Sequence, residues 1–430
     1  MKTKRSLVIG LVLLLLFSNI ASAKPKITVW LTYGGTMGKV ISDLIHDDFT
    51  PKTSIQVEYV PIKASPFELM TKLILEILGG SAPDICFLEG YQVIELGMRG
   101  VLETMNQFSD YKDIVNRFYP GFSGQFIYNN KVYAIPGESG WTQSYVRIDI
   151  FKDLGLEPAV LWDDLEKIIP KLKARNMDFY YENSMGYPRA YMAFLFQRGE
   201  DIFTRDGLKS NLDSPEAIKA FKTYTSLYTK NKIPVTMPDI QCFVSGTVPY
   251  MVHLHYIYGL IDNIAPQIKG KWAPVHTPGT KRSDGKISNA IPTSSFAYVM
   301  PKIEGRSKEN KEAAWEFLKW YTSPEIVRKI QTSFFEGPDK FILMFGTKES
   351  FNSAKFLPEH RNIISEILEQ GVKMTSIPGG YSTYRYIDFA FNKVVLQNEY
   401  PETALKEAAK DSTSELERKR KEFARFLKNM

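Results

Sequence analysis

The strongest constraint on this chain is an alternation of two periodicities near its start. Lys26-Ile27-Thr28-Val29-Trp30-Leu31 is a short β-rich run, and Val40, Ile41, Leu44, Ile45 and Phe49 then recur at helical spacing. Ile55, Val57 and Tyr59 alternate as a strand does. Leu69, Leu73, Ile74 and Ile77 form a second helical stripe closed by Gly79-Gly80, and Ile85 to Leu88 form a third strand. A β-α-β-α-β order predicts a parallel sheet with right-handed crossovers and helices on both faces, an α/β fold. At 430 residues the chain exceeds what one hydrophobic core usually serves, so two lobes are expected.

The first residues read as an export signal. Lys2, Lys4 and Arg5 precede the apolar run Leu7 to Phe17, followed by Ala21-Ser22-Ala23, an A-x-A cleavage site. An uncleaved anchor is the alternative, but the run is short for a span of about 20 residues. Cleavage after Ala23 removes the three basic residues and lowers the formal charge from +6 to +3 on 407 residues. So small a charge, with both signs interleaved, leaves no nucleic-acid footprint. The dense basic cluster Arg418-Lys419-Arg420-Lys421 is flanked by Glu415, Glu417 and Glu422, and on a terminal helix it reads as a solvated face. No cysteine stands at the cleavage site, so no lipid anchor is expected. Cys86 and Cys242 are too few for a disulfide framework and read as free and buried.

Later in the chain Ser214-Pro215-Glu216 and Ser323-Pro324-Glu325 each place Ser at an N-cap, Pro at the first helical position and an acid in the first turn. From Ile264 to Pro301 the sequence turns rich in Pro, Gly, Ser and Thr, which predicts connecting segments rather than packed helix. Pro401 to Met430 is helical in composition.

Catalytic and metal motifs fail inspection. Gly34-Gly35-Thr36-Met37-Gly38-Lys39 lacks the first glycine and the Ser or Thr of a phosphate loop. Gly121-Phe122-Ser123-Gly124 brings its second glycine one residue too early for a nucleophile elbow. His253-Leu254-His255 places two imidazoles on one face of a strand. A metal would need further ligands that the sequence does not nominate nearby, which leaves ligand hydrogen bonding or a structural role. No cofactor and no metal are expected.

Of the aromatic residues, 23 are tyrosines, with an apolar body and a polar tip. Most rings, such as Trp315 and Phe317, read as packing. A smaller set follows strands or glycine turns: Tyr33, Tyr91, Trp141, Tyr256, Tyr381 and Tyr384. In open α/β sheets ligands bind outside the carboxyl ends of strands, and aromatic faces beside a few polar groups suit sugar rings.

Several segments resemble the extracellular solute-binding proteins of ABC sugar importers, the family 1, maltose-binding-protein-like group. Ala82-Pro83-Asp84-Ile85 with Gly100-Val101-Leu102 is similar to its "PDI…G-x-L" region, and Asn130-Lys131-Val132-Tyr133-Ala134-Ile135-Pro136 to its "G-K-x-Y-x-x-P" hinge. Tyr145 to Leu156 stands where the family has "L-x-Y-N-K-D-L-F-K-x-x-G", and Phe243 to Met251 resembles "F-x-x-G-K-x-A-M". Lys311 to Leu318, Ser323-Pro324-Glu325 and Glu402 to Ala408 follow in family order, so the resemblance covers nearly the whole chain from Thr28. Arg147-Ile148 and Leu161 depart from the pattern, as does Tyr91 where an acidic residue is common.

The resemblance implies an α/β, two-lobed periplasmic-binding-protein fold of type II, each lobe a sheet flanked by helices and joined by a hinge. Its expected segments are a signal peptide, 1–23; N-lobe, 24–138 and 278–323; and C-lobe, 139–277 and 324–430. It implies a non-catalytic, periplasmic or secreted monomer that captures a sugar or oligosaccharide and delivers it to ABC permease membrane subunits. The positions carried over are Tyr33, Gly34, Thr36, Glu89, Tyr91, Glu138, Tyr256 and Tyr384, with Trp141, His253, Asn289 and Tyr381 as neighbours. Trp141, Tyr256 and Tyr384 would stack on the solute while Glu89 and Glu138 orient hydroxyls. A phosphorylated polyol would call on Arg147 or Arg189; iron would call on Tyr381 and Tyr384, and a polyamine is a further non-sugar solute. A secreted glycosidase would use Glu89 and Glu138 as its two carboxyls.

Overall fold

A computed structural model describes residues 24–183, 188–337 and 342–428; the expected leader lies outside them. In chain order the elements that build the site are β1 (Lys26–Leu31), α1 (Gly35–Leu44), β2 (Gln56–Pro61), α2 (Pro66–Gly79), β3 (Ile85–Glu89), α3 (Gly90–Met98), β4 (Ile135–Val146) and β5 (Phe179–Tyr181). They continue with α4 (Arg189–Gln197), α5 (Pro215–Thr229), β6 (Tyr250–Leu254), β7 (Ala273–Val275), β8 (Ile291–Val299), α6 (Lys308–Tyr321) and α7 (Pro324–Glu336). The last are α8 (Arg361–Glu369), β9 (Gly371–Lys373), α9 (Tyr384–Gln397) and α10 (Pro401–Lys428).

The expected parallel unit is present. β1 pairs in parallel with β2 and with β3, from Lys26↔Gln56 and Val29↔Ile85. Its two faces are both covered: Ile27, Val29 and Leu31 join one core cluster while Trp30 joins another with Cys86 and Leu88. α2 starts on a capping box, with Ser65 and Glu68 satisfying each other's backbone, and ends at Gly80, whose φ of 73° is left-handed.

Two long strands then join the lobes. The sheet runs β2-β1-β3-β8-β4-β6-β5, with β9 on β8 and β7 on β4. The first half of the 12-residue β4 pairs antiparallel with β8, from Ile135↔Tyr298 to Trp141↔Thr293. Its second half pairs with β6, from Thr142↔Leu254 to Val146↔Tyr250, and with β7. The register shifts between Ser295 and Ala297, a bulge in the middle of the crossing. Val146, Phe179, Tyr181 and Tyr250 belong to the second lobe's core, which α5, α9 and α10 cover.

Several expected placements move. The chain is still tied to the second lobe at Pro278 and Gly279, whose carbonyls accept from Gln197 Nε2 at 2.9 Å and from the Trp162 amide at 3.2 Å. It leaves on β8, inside the stretch expected to be mere connection. The boundary expected at Ser323 also shifts: α7 buries Ile326, Val327, Ile330 and Phe334 in the cluster that holds Ile27 and Val29, and Lys329 pairs with Asp48 at 3.2 Å. The chain next meets the crossing at 344–346, where the Met344 carbonyl accepts from the Ser139 amide at 2.7 Å. Both cysteines are free, but only Cys86 is fully buried; Cys242 is partly buried on the short helix Asp239–Ser245. The basic cluster is not wholly solvated either. Lys419 keeps only 13% of its side-chain exposure, lying between Glu95 of α3 and Glu422. Among the described residues no helix is long and apolar enough to cross a membrane.

Candidate functional site

The carboxyl ends of the strands and the middle of the crossing converge on one cavity of about 270 Å³. Tyr33 reaches it two residues after β1, and Glu89 as the last residue of β3. Glu138, Ser139 and Gly140 come from β4, and Ser294, Ser295 and Phe296 from β8. Leu254 ends β6 and His255 and Tyr256 follow it, Arg189 opens α4, and Ile342, Leu343 and Met344 complete the lining.

The crossing strands are locked where they meet the cavity. Ser139 Oγ and Ser295 Oγ share a 2.7 Å hydrogen bond. Gly90, the first residue of α3, cannot be larger, since a Cβ there would lie 2.3 Å from the Ser295 carbonyl oxygen. This close approach sets Glu89 at the cavity edge. Tyr33 is held by the Tyr59 hydroxyl, which donates to its carbonyl, and by edge contact with Phe334 at 5.3 Å.

Glu138 is buried, and its Oε1 accepts from the Tyr298 hydroxyl at 2.8 Å. Oε2 is buried without a partner in bonding geometry, though the Tyr33 phenol lies near enough to favour the charged form. Burial outweighs these phenols and pushes the carboxyl up to about 7. Burial likewise raises Glu89 to about 7, opposed by the Arg189 guanidinium. His255 stacks on Trp141, centroids 4.0 Å apart, and burial first, then Arg189, drives its imidazole down to about 3. It is therefore neutral, and its Nδ1 is buried with no partner. The cavity thus combines two carboxyls of near-neutral pKa, one guanidinium, serine hydroxyls, an orphaned imidazole nitrogen and several aromatic faces. Such a set suits a ligand rich in hydroxyl groups.

Of the expected residues, Tyr33, Glu89, Glu138 and Tyr256 line the cavity together. Trp141 lies behind it, beneath His255, its Nε1 donating to Gln143 Oε1 at 2.9 Å. Gly34 precedes α1 and Thr36 sits exposed in its first turn, neither of them lining the space. Tyr91 stacks on Tyr381, and buried Tyr384 meets Tyr381 edge-on, all outside the cavity. His253 turns away from His255: its Nε2 meets Asp239 Oδ2 at 2.7 Å. The strand ends at Leu254, so the two-residue spacing no longer places both rings on one face. Asn289 donates to the Thr277 carbonyl at 2.8 Å beside a surface hairpin. Arg147 is held by Asp149 and the carbonyls of Phe243 and Val244, whereas Arg189 lines the cavity. Among the described residues no group of three or more His, Cys, Asp or Glu is placed to hold a metal ion.

Sequence reasoning missed Ser139, the Ser294-Ser295-Phe296 run and the Ile342-Leu343-Met344 segment. One signal was present: Thr293-Ser294-Ser295 is a polar run between Ile291 and Val299, and buried polar groups in a strand ask for partners.

Two lobes, strands crossing between them and a cavity at the crossing define a type II periplasmic-binding-protein fold. A family profile of the bacterial extracellular solute-binding proteins matches residues 45–336, more than half of the chain. The chain belongs to that family. It is similar to the maltotriose-binding protein of Pyrococcus abyssi, 23% identical over 313 residues, a match spanning 71% of this chain and 64% of that protein. In fold it is similar to the sugar-binding protein MalE of Xanthomonas citri, with a TM-score of 0.76 at 16% identity over 93% of this chain and 99% of the other. It is also similar to an ABC transporter solute-binding protein of Thermotoga lettingae bound with α-D-tagatose, with a TM-score of 0.71 at 24% identity over 91% and 100%.

Proposed function

We propose that this protein captures a small polyhydroxylated solute, a sugar or sugar alcohol, outside the cytoplasm and delivers it to the membrane subunits of an ABC importer. The observation that carries this reading is the cavity itself. Glu138 Oε2 and His255 Nδ1 are buried in it with unmet hydrogen-bonding capacity, beside the faces of Tyr33, Tyr256 and Phe296. Solute hydroxyls satisfy the buried polar atoms, and the C–H faces of the rings pack on the aromatics. Relatives named for maltotriose binding and solved with tagatose support the same chemistry. The lobes close on the solute by bending in β4 and β8. The leader is cleaved after Ala23, and intact-mass measurement of the secreted protein checks that Lys24 is its first residue.

Arg189 favours one second reading, a solute that also carries an acidic group such as a phosphorylated polyol. A thermal-shift screen of mono-, di- and oligosaccharides, pentitols and glycerol phosphate, followed by calorimetry and product analysis, separates the readings. The expected result is a rise in Tm with a neutral sugar or polyol and no turnover of it. Tyr256→Ala then lowers affinity about tenfold or more without changing the circular dichroism. No shift with any carbohydrate or polyol sinks the proposal; a response to glycerol phosphate alone, lost in Arg189→Ala, moves it to the acidic solute.

A further inference from the structure

Gly140 is a glycine that the fold does not require. It lies inside β4, a strand of 12 residues of which Gly140 alone keeps some exposure, and it lines the cavity. Glycine inside a strand costs stability relative to alanine; its usual causes are a special backbone conformation, a crowding neighbour or the close approach of a ligand. Neither of the first two applies. Gly140 is not among the glycines of positive φ, and it pairs with Ser294 beside the regular pair of Ser139 and Ser295. Among the described residues, the three atoms nearest to a Cβ built there are His255 Cε1 and Nδ1, each 3.6 Å away, and Ser294 Oγ at 3.8 Å. All three belong to side chains and stand at ordinary van der Waals distance. The other two glycines of this kind differ: a Cβ at Gly137 would lie 3.0 Å from the Tyr298 ring, and one at Gly90 would strike the Ser295 carbonyl.

The groups around the absent side chain suit a hydroxyl. The His255 amide donates to the Trp141 carbonyl at 3.0 Å, and its own carbonyl accepts from the Tyr145 hydroxyl at 3.1 Å. With its ring stacked on Trp141, the edge carrying Cε1 and Nδ1 is held beside Gly140, and Nδ1 has no partner. Ser294 stands opposite Gly140 in the β4–β8 ladder, so its side chain rises on the face where the Cβ is missing. Ser295 Oγ, one residue on, is engaged by Ser139. A hydroxyl both donates and accepts, so it satisfies the neutral imidazole in either tautomer and also bonds the serine. A C–H group in its place leaves Nδ1 buried and unpaired.

We propose that Gly140, His255 and Ser294 form a hydroxyl-binding notch in the cavity wall, and that Gly140 determines specificity by leaving its side-chain space to one solute hydroxyl. This rests on the polyhydroxylated-solute reading. Alanine fits the strand at this position and fills the notch, so fold and solute place opposite demands on one residue.

Calorimetry on the mature chain tests it, with whichever of D-glucose, D-xylose, D-tagatose, ribitol, maltose and maltotriose binds wild type most tightly as the probe. Gly140→Ala binds that probe about tenfold or more weaker, while its urea midpoint stays at or above that of wild type. Of the monodeoxy forms of the probe, one binds wild type about tenfold weaker than the parent, a gap that shrinks to about threefold or less in His255→Phe, which keeps a ring on Trp141 and removes Nδ1. Should His255→Phe lose its fold, Ser294→Ala carries the same expectation. A folded Gly140→Ala that binds within about threefold of wild type overturns the notch and leaves the sugar reading standing. So does a set of deoxy forms that all bind like the parent, or a gap that the folded variants leave unchanged. A Gly140→Ala chain that fails to fold shows that the strand needs the glycine, and overturns the proposal too. Failure of every probe overturns the notch, and the sugar reading falls with it only if the wider saccharide screen is also silent.

Discussion

On the proposed reading, Glu138 links stability to solute capture through one buried carboxyl. Its folded pKa near 7 lies above the ordinary 4.5, so the folded state holds the proton more tightly than the unfolded chain. Below pH 4.5 burial costs nothing through this group; the cost grows from pH 4.5 to 7 and is complete above it, on the order of 3 kcal/mol at most. Glu138→Gln keeps an acceptor for Tyr298 and removes the charge. It should raise the Tm of the ligand-free protein relative to wild type at pH 8 and leave it nearly unchanged at pH 4.5, which scanning calorimetry at the two pH values checks. His255 acts with the opposite sign: a base held down to about 3 loses stability as pH falls below 6.5. Comparing the variant with wild type at each pH isolates the carboxyl from that effect. The same substitution should weaken sugar binding above pH 7, where the ionised carboxylate accepts hydroxyl protons best.

At the scale of elements, local signals were legible and long-range ones were not. The caps are an example of the first. Ser214 and Ser323 accept from the amides of Ala217 and Ile326, as the Ser-Pro-Glu triplets imply. Ser323→Ala should cost about 1 kcal/mol in urea unfolding and leave ligand affinity unchanged. β1 and β3 were likewise visible because parallel strands covered on both faces read as apolar runs, whereas the edge strand β2, with Gln56, Glu58 and Pro61 exposed, showed as an alternation. β8 was hidden because its polar residues are satisfied by distant partners: Thr293 Oγ1 donates to the Gly121 carbonyl at 2.7 Å, and Ser295 meets Ser139. Pro292 further disguised it as loop. The site divided in the same way. Glu89 and Tyr33 follow recognisable strands, whereas the course of Tyr91, Tyr381 and His253 depends on which lobe each meets, and no local spacing carries that.

At the scale of the whole molecule, a charged seam ties α3, packed on the first lobe, to the end of α10, which covers the second: Lys419 meets Glu95 at 3.8 Å and Arg99 bonds Glu422 at 3.0 Å. Lys419 faces Glu95 and Glu422 there, so Lys419→Glu places three carboxylates side by side. Small-angle scattering of the ligand-free protein should show a larger radius of gyration for Lys419→Glu than for wild type. Saturating solute should reduce the difference, because ligand-driven closure opposes the repulsion. Equal radii without solute would contradict this role for the seam. The two crossing strands have a further thermodynamic consequence. β4 gives its first seven residues to one half of the sheet and the rest to the other, through an unbroken backbone. Neither half can melt without stripping hydrogen bonds from a strand the other half needs. Heating should therefore produce one cooperative transition, with calorimetric and van't Hoff enthalpies in agreement, and a resolved second peak would show that the halves unfold independently.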